Sequence, residues 1–95
     1  MHLIEDPAVQ QAYDDACEKW TGAEYAWNAA TFVVLRDPKI GEPLNESGSV
    51  RSFTFDGARS RNIPTLILIY ECEGDTTTIR AARFSDAKYT VAGRA

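Results

Sequence analysis

The chain has 95 residues, 44% of them apolar, and a formal charge of −4. These values are typical of one small globular domain spanning residues 1–95, and the acidic balance disfavours a protein that coats nucleic acid. The sequence contains no apolar run of about 18 residues, and Met1 to Asp6 lacks the basic start of a signal peptide, so we expect a cytoplasmic protein that does not contact a membrane.

The charge is unevenly distributed along the chain. Residues 1–35 carry six acids against the single base Lys19, whereas residues 36–95 carry eight acids against nine bases. Three of those eight acids cluster at one predicted hairpin turn: Glu71, Glu73 and Asp75. The C-terminal part is therefore basic away from that turn.

A first amphipathic helix is predicted from Pro7 to Trp20. Asp6 can accept hydrogen bonds from the free N–H groups of the first turn, and proline fits the first helical position. Apolar residues then recur at helical spacing: Val9, Ala12, Tyr13, Ala16, Cys17 and Trp20. One face of this helix should pack against a core.

A second helix is predicted to start at Thr21-Gly22-Ala23-Glu24 and to reach about Leu35 or Arg36. Thr21 and Glu24 have the spacing of a capping box, and the Asp37-Pro38 pair ends the helix. Its apolar stripe consists of Ala23, Ala26, Trp27, Ala30, Val33 and Val34. Because the connection to the first helix is short, we expect the two to form an antiparallel hairpin.

The C-terminal half predicts three strands after a turn-rich surface connection at residues 39–49. They span Val50 to Phe55, Pro64 to Cys72 and Thr76 to Phe84. A fourth, short strand could form at His2 to Glu5. The expected fold class is α+β, with the helical hairpin on one face of a three- to four-stranded antiparallel sheet.

Few residues could support catalysis by familiar routes. His2 is the only histidine, so no Ser/His/Asp or Cys/His arrangement is expected. Cys17 and Cys72 belong to no metal-ligand motif and are interpreted as small buried apolar side chains. We therefore predict no metal and no cofactor.

Arginines on or beside the strands are the remaining candidates. Guanidinium groups match phosphate oxygens in a bidentate geometry, so they could form a phosphate platform, joined by Lys88 and Tyr89. The arginines are Arg51, Arg59, Arg61, Arg80, Arg83 and Arg94. Strict alternation places Arg80 and Arg83 on opposite sheet faces. Alternatively, these arginines pair with nearby acids or only solvate the sheet.

The order of helix, helix, loop and three strands resembles the RelE/ParE superfamily of bacterial toxins from toxin–antitoxin systems. The similarity runs from Asp37-Pro38-Lys39-Ile40-Gly41-Glu42-Pro43-Leu44 through Val50-Arg51-Ser52-Phe53 and Leu66 to Asp75, and ends at Ile79-Arg80-Ala81-Ala82-Arg83. Members cut messenger RNA on the ribosome or poison DNA gyrase, and an antitoxin segment that wraps the toxin neutralises each of them.

The resemblance implies a set of site residues. If the chain is a nuclease, the catalytic residues are Arg51, Arg61, Arg83 and Tyr89, and further RNA contacts come from Arg59, Arg80 and Lys88. Ile67 stands where the family strand has an arginine, and Asp86 or Ala87 stands where a basic residue follows the last strand.

Two functions are therefore expected. The first is a type II toxin that acts on ribosome-bound messenger RNA, as an endonuclease, or on DNA gyrase, with a cognate antitoxin as partner. The second is a non-catalytic protein-binding or regulatory module of the same fold.

Overall fold

Two helices follow a short N-terminal strand in the computed structural model, which describes residues 2–87. Strand β1 spans His2–Glu5, helix α1 spans Pro7–Lys19 and helix α2 spans Ala23–Arg36. Both predicted helices are confirmed to within a residue. No helix in the described part of the chain is long and apolar enough to cross a membrane.

The starts of the helices differ from the predicted capping. Asp6 occupies the N-cap of α1 but its side chain makes no capping hydrogen bond. The N-cap of α2 is Gly22, so the predicted capping box is wrong. The hydroxyl of Thr21 instead accepts a hydrogen bond from the side-chain amide of Asn62 at 3.0 Å. Thr21 thus bonds a residue far away in the sequence where a hydrogen bond to the first turn of α2 was predicted.

The sheet contains five strands in the order β1-β5-β4-β3-β2. After β1 come β2 at Glu42–Pro43, β3 at Val50–Phe55, β4 at Thr65–Glu73 and β5 at Thr76–Ser85, with a 3₁₀ turn at Arg59–Arg61. The α+β class is confirmed. The predicted strand count and the all-antiparallel arrangement are wrong, because β1 pairs parallel to β5 and β2 forms inside the predicted surface connection.

Both helices pack on one face of the sheet and enclose the core there. Helix α1 contacts β5, whereas α2 contacts β3 and β4. The buried cluster combines helix residues Val9, Ala26, Ala30 and Val34 with Ile63 and with strand residues Leu66, Leu68, Tyr70 and Ile79. Alternation along β4 therefore turns Ile67, Ile69 and Glu71 to the opposite side.

A β-bulge at Arg80 changes the alternation of β5. Ile69 pairs with Ala81, but the next β4 residue, Tyr70, pairs with Ile79, so Arg80 is an extra residue. The extra residue shifts the side-chain phase of the strand. Ile79 and Ala82 consequently both face the helices, although they are three positions apart in the sequence.

Candidate functional site

One face of the sheet is turned away from the helices, and we call it the open sheet face. It is formed by Ile4, Val50, Ser52, Thr54, Ile67, Ile69, Glu71, Thr78, Ala81 and Arg83. Ile67 and Ile69 are half-buried, while Ile4 is 50% exposed. The face thus presents an apolar centre with charged residues around it.

A cavity of about 610 Å³ lies at one end of the open sheet face. Its lining residues are Thr54, Asp56, Gly57, Thr65, Ile67, Ser85 and Asp86. Arg83 is not a lining residue but pairs with Ile67, which is one, across the β4–β5 ladder. The cavity offers hydroxyl groups and two carboxylates over one apolar side chain.

The position of Asp86 is set by a helix residue. Its carboxylate accepts a hydrogen bond from the indole Nε1 of Trp20 at 3.0 Å, where α1 ends beside β5. Trp20 itself is buried. Asp56 and Asp86 both line the cavity, and Arg83 pairs across the ladder with the lining residue Ile67, so the local charge disfavours a bound phosphodiester.

Arg80 also lies on the open side of the sheet, contrary to the prediction from strict alternation. Its guanidinium donates to Glu71 Oε1 at 2.9 and 3.1 Å and lies 3.4 Å from Asp6 Oδ1. The hydrogen bond to Glu71 is the main cause of a raised pKa for Arg80. The bulge therefore places Arg80 and Arg83 on the same side, with Arg80 already paired.

Arg51 lies on the helix-covered side of the sheet and binds the connection between α2 and β3. Its Nη1 donates to the carbonyls of Gly41 at 2.8 Å and Lys39 at 3.2 Å, and its Nε donates to Gly48 at 2.9 Å. Arg51 pairs across the ladder with the buried Tyr70. A guanidinium that is bonded to three backbone carbonyls cannot offer the same donors to RNA.

The two arginines of the 3₁₀ turn have separate positions. Arg59 Nη1 donates to the carbonyl of Ala87 at 2.9 Å and so holds the segment after β5. The guanidinium of Arg61 lies over the ring of Tyr25, with Cζ 5.7 Å from the centroid. Arg51, Arg61 and Arg83 thus lie on different parts of the molecule, and the structure does not bring these three arginines together.

Three predicted residues fall outside the described part of the chain: Lys88, Tyr89 and Arg94.

The cysteine prediction is wrong for Cys17, which is exposed, and Cys72 is half-buried. A hydrogen bond with the Cys17 side chain is the main cause that raises the pKa of Tyr13 to about 12. Within residues 2–87, no group of three potential ligands could hold a metal ion.

Sequence reasoning missed two features of the structure. The contact between Trp20 and Asp86 joins residues 66 positions apart and leaves no local signal. Tyr25 and Phe32 are exposed aromatic residues on α2, and their spacing outside the predicted apolar stripe could have revealed them.

Comparison of the chain with family models, curated proteins and solved structures finds no match.

Proposed function

We propose that this chain is the toxin component of a type II toxin–antitoxin system of the RelE/ParE kind, and that it arrests growth by binding a protein target without cutting messenger RNA. DNA gyrase is the protein target that the resemblance supplies. One observation carries the choice of binding over cleavage, namely that Arg51, Arg61 and Arg83 are dispersed. In addition, Asp56 and Asp86 line the cavity next to the Arg83 position.

The order of the helices and strands supports the proposed class, a toxin of the RelE/ParE kind. Two helices precede the antiparallel strands β3, β4 and β5, and the helices cover one face only. This is the succession on which the resemblance to the toxins rests. The uncovered face is available for a target.

Cleavage of a phosphodiester requires several positive groups that are already aimed at the developing charge. In this chain Arg51 bonds three backbone carbonyls, and Arg80 is paired with Glu71 and Asp6. Arg83 neighbours the cavity through Ile67, its partner across the β4–β5 ladder, and two of the cavity's lining residues are aspartates. This arrangement supports a role in binding.

The open sheet face has the chemistry of a protein interface. Ile67 and Ile69 form an apolar centre next to the exposed Ala81, and Glu71, Arg80 and Arg83 surround it. Interfaces combine an apolar, desolvated centre with a polar rim in this way. A cognate antitoxin would neutralise the chain by covering the same face.

The test is induction of the intact chain in bacteria without any antitoxin, followed by measurement of growth, ribosome-bound messenger RNA and plasmid supercoiling. We expect growth arrest, intact messenger RNA, and altered supercoiling. Ile67→Glu should abolish the arrest because it places a charge in the apolar centre, whereas Lys39→Ala, a substitution of an exposed residue outside that face, should not.

Two results would overturn the proposal. Normal growth with folded protein accumulating in the cell would leave a regulatory binding module as the better function. Cut messenger RNA, with cutting lost in Arg83→Ala, would restore the nuclease.

A further inference from the structure

Helix α2 carries two exposed aromatic residues on the helix-covered side of the sheet. Tyr25 is 54% exposed and Phe32 is 58% exposed. Seven residues separate them, which is almost two turns, so they lie on one side of the helix and about 10 Å apart along its axis. Among the large apolar side chains that the described residues expose, these two are the aromatic ones.

An arginine lies over each of these rings. The guanidinium carbon of Arg61 is 5.7 Å from the Tyr25 centroid, and that of Arg36 is 5.6 Å from the Phe32 centroid. Neither arginine forms an ion pair with any residue of 2–87. We call Tyr25, Phe32, Arg36 and Arg61 the aromatic–arginine stripe.

The stripe is held in place by its surroundings. The ring of Tyr25 packs against Phe55 of β3, with centroids 6.3 Å apart, and Arg61 belongs to the 3₁₀ turn Arg59–Arg61. Phe32 and Arg36 are one helical turn apart on α2. A cation held over a ring loses less side-chain freedom when it meets an anion, so the two guanidinium groups are pre-arranged to donate hydrogen bonds to carboxylates.

We propose that the aromatic–arginine stripe is a docking site for an acidic amphipathic helix of a second protein. Because the rings are almost two helical turns apart, the cations over them call for two carboxylates at about that spacing. The exposed rings of Tyr25 and Phe32 take apolar side chains from the same face of that helix. Arginine and aromatic residues are the types enriched at the centres of interfaces.

Two other occupants fit the stripe less well. A second copy could offer the acids of α1, but α1 exposes no large apolar side chain to fill the space between the rings. Single-stranded nucleic acid would need free ring faces for its bases, and here the guanidinium groups already cover one face of each ring. An acidic amphipathic helix uses both the charges and the apolar area.

The test uses a labelled helical peptide with two glutamates seven residues apart and two leucines between them on the same face. Its matched control has the same composition with the glutamates moved to the opposite face. Binding to the intact chain is followed by fluorescence anisotropy, and the contact is located by amide chemical-shift changes. We expect the first peptide to bind and to shift residues around the stripe.

Substitutions in the chain separate the parts of the stripe. Phe32→Ala should weaken binding by roughly tenfold or more, the loss typical of an anchoring aromatic residue. Arg36→Gln should weaken it by about threefold and reduce its salt dependence. Lys19→Gln, which alters the exposed cation over Trp20 on another part of the surface, should change nothing. All these residues are exposed, so the variants should remain folded, as a melting curve would verify.

Four results would overturn the proposal. They are equal binding of the two peptides, no binding of either, chemical-shift changes confined to the open sheet face, and tighter binding of single-stranded RNA than of the peptide through the same residues. A dimer in solution that Phe32→Asp dissociates would assign the stripe to a second copy. Failure of the growth-arrest experiment would leave this docking site unaffected, because the two tests probe different surfaces.

Discussion

Gly41 and Tyr70 lie so close together that a side chain cannot fit between them. The N–H of Gly41 donates to the Tyr70 hydroxyl at 3.0 Å, and that hydroxyl donates to the carbonyl of Pro38 at 2.7 Å. A Cβ on Gly41 would lie 2.6 Å from the hydroxyl oxygen and 2.7 Å from the carbonyl oxygen of Ser52. The buried Tyr70 therefore fixes the start of the connection between α2 and β3, which Arg51 also binds.

Gly41→Ala should lower the free energy of unfolding by about 1 to 3 kcal/mol, because the added methyl group overpacks a site bounded by backbone. Lys39→Ala, two residues away and exposed, should change it by less than about 0.5 kcal/mol. Urea denaturation of the purified variants measures both. Equal stability of Gly41→Ala and the unaltered chain would show that the loop can move away from Tyr70.

Arg51→Met should destabilise the chain by about 1.5 to 3 kcal/mol, because three carbonyls lose a charged donor. Arg51→Lys should recover little of this, since one ammonium group cannot reach all three oxygens in the same geometry. Thermal and urea unfolding provide the measurement. An unchanged unfolding curve, together with loss of growth arrest, would instead place Arg51 in a functional site.

Stability should fall as the pH rises above about 10, the ordinary tyrosine value. Burial is the main cause that raises the pKa of Tyr70 in the folded chain. The unfolded chain therefore loses the proton first, so the contribution is complete below pH 10 and is lost above it. Tyr13, whose pKa is raised to about 12, acts with the same sign.

The Tyr70→Phe variant isolates the share of Tyr70 in this pH dependence. Its unfolding free energy, measured from about pH 8 to about pH 11, should decline less steeply than that of the unaltered chain. At about pH 8 it should also be lower by about 1 to 3 kcal/mol, because Gly41 and Pro38 lose their hydrogen-bond partner, and this difference should shrink as the pH rises. Parallel pH profiles would refute the link between burial and titration.

Trp20 and Asp86 should be energetically coupled. A double-mutant cycle with Trp20→Phe and Asp86→Ala should give a coupling of about 1 to 2 kcal/mol, because the half-buried hydrogen bond joins a donor to a charged acceptor. Asp56, which lines the same cavity as Asp86, provides the control: Asp56→Ala should show no coupling to Trp20→Phe. Additive effects of Trp20→Phe and Asp86→Ala would show that the bond contributes nothing to stability.

RNA binding by the intact chain should be weak even at low salt. A site that tracks several phosphates loses about 10³-fold or more in affinity between about 50 and 200 mM salt. We expect no such dependence, because Arg51 and Arg80 are engaged within the protein and the cavity carries two aspartates. Filter binding with a short single-stranded RNA at several salt concentrations measures this affinity. A steep salt dependence would contradict the proposed mode of action.

The sequence by itself determined the local elements of this protein. Asp6-Pro7 and Asp37-Pro38 fix where the helical stretch begins and ends, because proline restricts its own backbone and that of the preceding residue. Alternation along Val50–Phe55 puts Phe53 and Phe55 on one face of the strand, and both pack against the core. These outcomes depend on periodicity and backbone sterics, which neighbouring residues decide.

Only the tertiary structure decided how the candidate site is arranged. Parallel pairing of β1 with β5 and the bulge at Arg80 depend on contacts between residues far apart in the sequence. One extra residue reversed the predicted separation of Arg80 and Arg83, since each inserted position moves the following side chains to the other face. Long-range register, which no local pattern records, thus determined which arginines share a surface and which are bonded within the fold.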